Sequence, residues 1–119
     1  WTAGAPANGF SPTGASWLPQ PDSFALYAAD VQVDDPSSTL ELYRTALRLR
    51  RELRLGEGKL EWAELGPDVV AFRNGSLLVL TNLGAEPVAL PEGAQVRLRS
   101  GSLDAGGRVP TDVTVWVEE

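Results

Sequence analysis

The spacing of apolar residues changes along the chain and divides it into three segments. Residues 1–38 follow neither a helical nor a strand period. The next segment repeats apolar residues at helical spacing, and the last one consists of short alternating runs between turn residues. The pattern predicts an irregular segment over 1–38, a helix with its end over 39–56, and a mainly β domain over 57–119.

The predicted helix, over 39–55, has clear end signals and a wide apolar stripe. Ser38 and Glu41 have the spacing of a capping box, and Gly56 suits the position after the last turn. One neighbouring surface covers only part of such a wide stripe, so we expect several of its large residues to stay exposed within this chain. These six residues are Leu40, Leu42, Tyr43, Leu47, Leu49 and Leu53.

Short strand-like runs fill the last segment. Asn74-Gly75 separates two of them and predicts a two-residue type I′ hairpin, with both residues in the turn. Val113, Val115 and Val117 alternate with other residues and predict one buried strand face. Short strands at this spacing predict an antiparallel β-sandwich. The runs are 60–65, 69–73, 76–82, 88–90, 95–100 and 112–118.

The first 38 residues hold five of the nine aromatic residues and five of the nine prolines. The prolines and glycines oppose regular structure, but a solvated disordered linker would not carry so many large aromatic side chains. A long irregular segment in a compact chain therefore indicates either a function or missing partners. The five aromatic residues are Trp1, Phe10, Trp17, Phe24 and Tyr27.

Composition excludes several classes of site and partner. The chain has no cysteine and no histidine, which excludes Ser-His-Asp and Cys-His catalysis and histidine-ligated zinc within it. A net charge of −6 and the absence of a long apolar run predict neither a nucleic-acid nor a membrane partner. No cofactor is expected. The lack of cysteine fits a reducing compartment, so a cytoplasmic location is expected. Because methionine is also absent, we expect a processed or excised piece.

No catalytic constellation is visible in the sequence. Asp34 and Asp35 could be paired carboxylates, but their place before a helix favours charge that complements the helix dipole. The glycine-containing stretch 101–110 lacks the P-loop lysine and is interpreted as a turn. Trp62 and Trp116 could stack on sugar rings, although strand aromatics in a sandwich are more often core residues, and we favour the core.

Several short motifs of the first half occur in an order that resembles one family. The chain is similar to the region after the last barrel strand in the α-glucosidase and oligo-1,6-glucosidase branch of the α-amylase superfamily, glycoside hydrolase family 13. The stretch 76–91 is similar to the middle of that family's C-terminal domain. One departure is Ala7-Asn8-Gly9, where Asn-Ala-Gly is common in the family. The matching positions are Trp1, Ala7 to Ser11, Ser16 to Pro19, Gln32, Asp35 to Ser38, and Leu42 to Arg50.

The resemblance implies a place for each segment. Residues 1–38 would be a pocket-rim loop after the last strand of a (β/α)₈ barrel, 39–56 the last barrel helix, and 57–119 the C-terminal β-sandwich. The parent would be a retaining α-glucosidase that releases terminal α-linked glucose from oligosaccharides. Its catalytic carboxylates match no position here, so the chain alone is expected to be inactive, with the rest of the barrel and an α-glucoside as partners. Three rim residues are expected near the acceptor sugar: Trp1, Asn8 and Phe10.

Two alternatives remain open at the level of sequence. A stand-alone carbohydrate-binding or interaction module would use a stacking platform made either by Trp62 and Trp116 or by the loop with Trp1, Phe10 and Trp17. A transglycosidase such as trehalose synthase shares the same type of loop, although the short run 17–19 fits the hydrolases better. The preference between α-1,4 and α-1,6 linkages stays undecided.

Overall fold

The computed structural model describes all residues from Trp1 to Glu119 and divides into two compact units. The first unit is Trp1–Arg44 and the second is Thr45–Glu119. All strands belong to the second unit, and helix α2 (Thr39–Glu52) contributes residues to both. None of the helices combines the length and the apolar character that a membrane crossing requires.

The first unit consists of short elements joined by turns. Two 3₁₀ segments, Pro6–Gly9 and Asp22–Tyr27, precede a short helix α1 at Ala29–Gln32 and the start of α2. Ala28 and Ser38 are the only buried residues of this unit. The unit is therefore held mainly by hydrogen bonds rather than by a hydrophobic core.

The N-terminus of α2 is capped by two side chains. Ser38 Oγ accepts the backbone N–H of Glu41 at 3.2 Å, as the sequence predicts. The second acceptor differs from the prediction, because Gln32 Oε1 takes the N–H of Leu40 at 3.1 Å. The Glu41 carboxylate instead accepts the N–H of Asp34 at 3.4 Å. The capping box is thus half formed: the N–H of Ser38 donates to the Asp35 carbonyl at 2.9 Å and not to Glu41, and Gln32 of α1 caps one further N–H.

The C-terminus of α2 closes two residues earlier than predicted. The N–H of Leu55 donates to the carbonyl of Arg50 at 3.0 Å, and the N–H of Arg54 donates to that of Arg51 at 3.2 Å. This pair of bonds is the Schellman pattern, which places Arg54 at the left-handed C′ position with φ 51°. The prediction of Gly56 for that position is wrong, because the helix ends before it.

The apolar stripe of α2 is only partly covered, as expected. Leu49 is the one residue of the six that is fully buried. Tyr43 and Leu47 are exposed by 64% and 52%. Leu40, Leu42 and Leu53 have intermediate exposure.

The second unit is built on one five-stranded antiparallel sheet with strand order β1-β2-β3-β5-β4. The chain is therefore mainly β, with a sandwich-like β domain after an irregular segment and a helix, as predicted. Segment 88–90 is not a full strand, because only Val88 bridges to Val109. The strands are β1 (Leu60–Trp62), β2 (Val69–Asn74), β3 (Leu77–Asn82), β4 (Gln95–Arg99) and β5 (Val113–Glu118).

The β2–β3 hairpin is shifted by one residue from its prediction. Asn74 pairs with Leu77, so the two loop residues are Gly75 and Ser76. Only Gly75 has a positive φ, of 63°, which fits a type II′ turn and not the type I′ turn expected. Asn74 remains in the strand because its Nδ2 donates to the Leu55 carbonyl at 3.0 Å.

One sheet face carries the core, and loops between β3 and β5 cover it. Val113, Val115 and Val117 are buried there, which confirms the predicted face of β5. Across the sheet they pair with residues 82, 80 and 78 of β3. Residues that pack over this face from the covering loops are Val88, Leu90, Ala94, Leu103 and Val109.

Candidate sugar-contact site

Two of the three predicted rim residues lie side by side in the first unit. The ring centroids of Trp1 and Phe10 are 5.7 Å apart, and those of Trp1 and Phe24 are 6.0 Å apart. We call Trp1, Phe10 and Phe24 the aromatic cluster. Their exposed fractions are 47%, 59% and 36%, so part of each ring faces solvent. Phe24 belongs to none of the family motifs. In the sequence it was only one of the aromatic residues of a proline-rich segment, so its place in the cluster could not be predicted.

Hydrogen bonds from residues 24–30 hold the start of the chain. The indole Nε1 of Trp1 donates to the Phe24 carbonyl at 2.8 Å. The N–H of Ala29 donates to the Trp1 carbonyl at 3.0 Å. Both carboxylate oxygens of Asp30 accept the N–H of Ala3, at 3.0 and 3.2 Å. Two of these bonds reach Trp1 itself, and the bond shared between the two Asp30 oxygens holds Ala3, two residues further along the chain.

Asn8, the third predicted rim residue, lies in an unusual turn beside the cluster. Ala7, Asn8 and Gly9 all have left-handed backbone angles, with φ of 46°, 50° and 78°. Asparagine and glycine tolerate this conformation, whereas it costs an alanine about 1–2 kcal/mol. The Asn8 side chain donates from Nδ2 to Gln20 Oε1 at 3.2 Å. This bond links the turn at residues 7–9 to Gln20, further along the same loop.

Two open depressions lie in the first unit, each of about 410 Å³. The first contains two rings of the aromatic cluster, and the second contains the third. Neither is lined by a charged side chain. Such surfaces suit the apolar C–H faces of sugar rings, and neither is lined by the pair of carboxyl groups that a retaining glycosidase uses. Lining residues include Phe10, Trp17, Leu18 and Phe24 in the first, and Trp1, Tyr27, Thr39 and Tyr43 in the second.

Asp35 of the acidic pair has a structural partner. Its Oδ1 accepts the Ser37 hydroxyl at 2.7 Å and the Ser37 N–H at 2.9 Å. These two bonds hold the pKa of the Asp35 carboxyl below its usual value, and the bond from the hydroxyl has the larger effect. Asp34 has a left-handed φ of 64° in the same turn. The pair therefore braces the turn before α2, in agreement with the non-catalytic interpretation.

The strand tryptophans do not belong to the core, so that prediction is wrong. Register places Trp62 opposite Phe72, Phe72 opposite Val79, and Val79 opposite Trp116. This row lies on the sheet face away from the core, because the core residues occupy the alternate positions. Trp62 is 74% exposed and meets Phe72 edge-on at 5.9 Å, while Trp116 is half-buried.

Comparison with known proteins shows that part of the chain is similar to a maltase. No family model matches the chain. Maltase A1 of Drosophila melanogaster is 30% identical over 90 residues, which cover 71% of this chain. The chain spans about 15% of the length of that relative. The match to this maltase supports the resemblance to a glycoside hydrolase family, without specifying the reaction.

Proposed function

We propose that the chain is the C-terminal segment of a retaining α-glucosidase of the α-amylase superfamily. The carrying observation is the aromatic cluster, which sits at the positions where the family resemblance expects the rim of a sugar pocket. The likeness to Maltase A1 also supports membership of a glycoside hydrolase family. The substrate class is an oligosaccharide with a terminal α-linked glucose.

The residues of the proposed rim have different roles. Trp1 and Phe10 offer partly exposed ring faces for the acceptor sugar. Asn8 holds the loop closed through its side-chain hydrogen bond to Gln20. No cofactor is needed for such contacts. The partner of this segment is the remainder of the (β/α)₈ barrel, and the proposed location is cytoplasmic.

Catalysis is assigned to the parent rather than to this chain. A retaining glycosidase uses two carboxyl groups about 5 Å apart, one as nucleophile and one as acid/base. By the family resemblance these groups lie on earlier barrel strands. The contribution here is to hold the acceptor sugar and to close the pocket.

The activity of the isolated chain gives the first prediction. We expect no release of p-nitrophenol from p-nitrophenyl-α-glucoside above a mock preparation, since no such carboxyl pair is available. Maltose should nevertheless bind weakly and shift resonances of Trp1 in a labelled sample. Trp1→Ala should abolish maltose binding, measured on the neighbouring amide resonances of Thr2 and Phe10, with Trp62→Ala as the matched control. Measurable hydrolysis by the chain alone would contradict the proposal.

A carbohydrate-binding module is the second candidate, favoured by the exposed tryptophans. Trp17 is 99% exposed and Trp62 is 74% exposed. Such a module would bind sugar through one of these rings and would not need the aromatic cluster. Loss of maltose binding in Trp17→Ala or Trp62→Ala, with full binding in Trp1→Ala, would select this candidate.

A further inference from the structure

The position of Trp1 is not set by burial. Only Ala28 and Ser38 are buried in its unit, and nearly half of Trp1 faces solvent. The contacts with Phe10 and Phe24, at centroid distances of 5.7 and 6.0 Å, join partly exposed rings and do not enclose Trp1. The orientation of this ring therefore depends on the hydrogen bonds that reach residues 1–3.

Asp30 contributes the side-chain part of this hydrogen-bonding set. The two bonds to Trp1 itself involve the backbone carbonyl of Phe24 and the backbone N–H of Ala29, and the N–H of Thr2 donates to the Asn8 carbonyl at 3.0 Å. Asp30 receives the N–H of Ala3 on both carboxylate oxygens. A charged acceptor strengthens such a bond relative to a neutral one. Its removal would free the chain two residues beyond Trp1 without removing any aromatic side chain from the cluster.

We infer that Asp30 is a positioning residue, which holds Trp1 in the orientation that the aromatic cluster presents to a sugar. The inference rests on the proposed function only for the identity of the ligand, an α-linked disaccharide. Asp30 lines neither depression, so it acts through Trp1. Because the effect passes through one hydrogen-bonded contact, we expect about a tenfold loss of maltose affinity without it.

The test compares variants of the full 119-residue chain by ¹⁵N–¹H spectroscopy with maltose as the probe. In Asp30→Ala, the Ala3 amide and the Trp1 indole resonances should move, and maltose should bind about tenfold more weakly. Asp30→Asn retains an acceptor oxygen and should rescue both readouts. Asp22→Ala removes the same charge from a carboxylate without a hydrogen-bond partner, and should change neither. The Glu41 amide, bonded to Ser38, reports that the unit is still folded.

The two proposals fail in distinguishable ways. If the Trp1 indole resonance of folded Asp30→Ala coincides with that of the unchanged chain, the positioning role is overturned. If maltose shifts no Trp1 resonance in the unchanged chain, the sugar contact under the proposed function is overturned. In that case the comparison without maltose still decides whether Asp30 positions Trp1.

Discussion

Asn82 organises the loops that cover the core of the second unit. It is 1% exposed, and its Nδ2 donates to the carbonyls of Glu86 and Val109 at 2.9 and 3.0 Å. Its Oδ1 accepts the N–H of Gly84 at 2.9 Å. One side chain at the end of β3 thus joins three backbone groups of the covering loops, and the Val109 carbonyl also accepts the N–H of Val88 at 2.9 Å.

Replacement of Asn82 should destabilise the second unit strongly. Asn82→Ala removes three hydrogen bonds made by a buried side chain, and we expect a loss of about 2–4 kcal/mol in the free energy of unfolding. Chemical denaturation followed by circular dichroism measures the loss. Gln95→Ala, at an exposed position of β4, is the matched control and should change the stability by less than about 0.5 kcal/mol. Equal stability of the two variants would contradict this role.

Asp104 gives a prediction on pH. Its carboxylate accepts the N–H groups of Arg108 and Gly106 and the Arg108 guanidinium, at 2.8, 2.9 and 2.8 Å. The backbone bond from Arg108, foremost, holds the pKa of this carboxyl below its usual 3.8. A lowered pKa in the folded state contributes stability that is present above the usual value and lost as the pH falls through the lowered one.

The pH dependence should therefore be smaller without this carboxylate. Asp104→Asn should lose less stability than the unchanged chain between about pH 7 and about pH 3, when unfolding is measured at both. Glu92→Gln, at a carboxylate without a hydrogen-bond partner, should retain the full dependence. An identical pH profile for Asp104→Asn and the unchanged chain would disprove the contribution.

At the scale of elements, the C-terminus of α2 has backbone strain that a single substitution can relieve. Arg54 occupies the left-handed C′ position with φ 51°, where a side chain is unfavourable and glycine is preferred. Its ion pair with Glu57 is 2.6 Å long, but both side chains are largely exposed, so the pair contributes little. Backbone strain outweighs the ion pair here.

Arg54→Gly should raise the thermal stability of the chain. We expect a gain of about 0.5–1 kcal/mol, because relief of the left-handed strain exceeds the loss of the exposed pair. Arg54→Ala is the control, since it loses the same pair but keeps the Cβ at positive φ. It should be no more stable than the unchanged chain. Equal melting temperatures for the two variants would rule out strain as the cause.

At the scale of the whole molecule, the two units differ in what holds them. The second has a continuous apolar core beneath its sheet, whereas the first has two buried residues and a network of loop hydrogen bonds. Local opening is least costly where few apolar contacts are lost. The aromatic cluster therefore lies in the unit that should open more easily.

Hydrogen exchange should report this difference directly. Amides of β3 and β5 should exchange more slowly than those of residues 1–30 by a factor on the order of a thousand. Mass spectrometry of peptides from the two units measures both rates in one sample, and addition of maltose should slow exchange only in the first. Equal protection of both units would contradict the assignment.

Much of the architecture could be predicted from local patterns. Val113, Val115 and Val117 alternate at the strand period, and Ser38 lies at the N-cap of a helix with helical spacing, so each prediction depended only on neighbours in the chain. The hairpin was located correctly, but its register was not. Asn74 is held in β2 by the distant Leu55 carbonyl, which no local turn preference includes.

The candidate site was only partly predictable for the same reason. The loop motif predicted Trp1, Asn8 and Phe10, but the contacts of Phe24 and Asp30 with the start of the chain join residues more than 20 positions apart. The face occupied by Trp62 likewise required the sheet register. The sequence alone determined the mainly β class, the helix and the aromatic loop, because periodicity and composition act locally. Tertiary structure decided which aromatic rings meet, which hydrogen bonds hold them and which sheet face is covered, because these depend on residues that only the fold brings together.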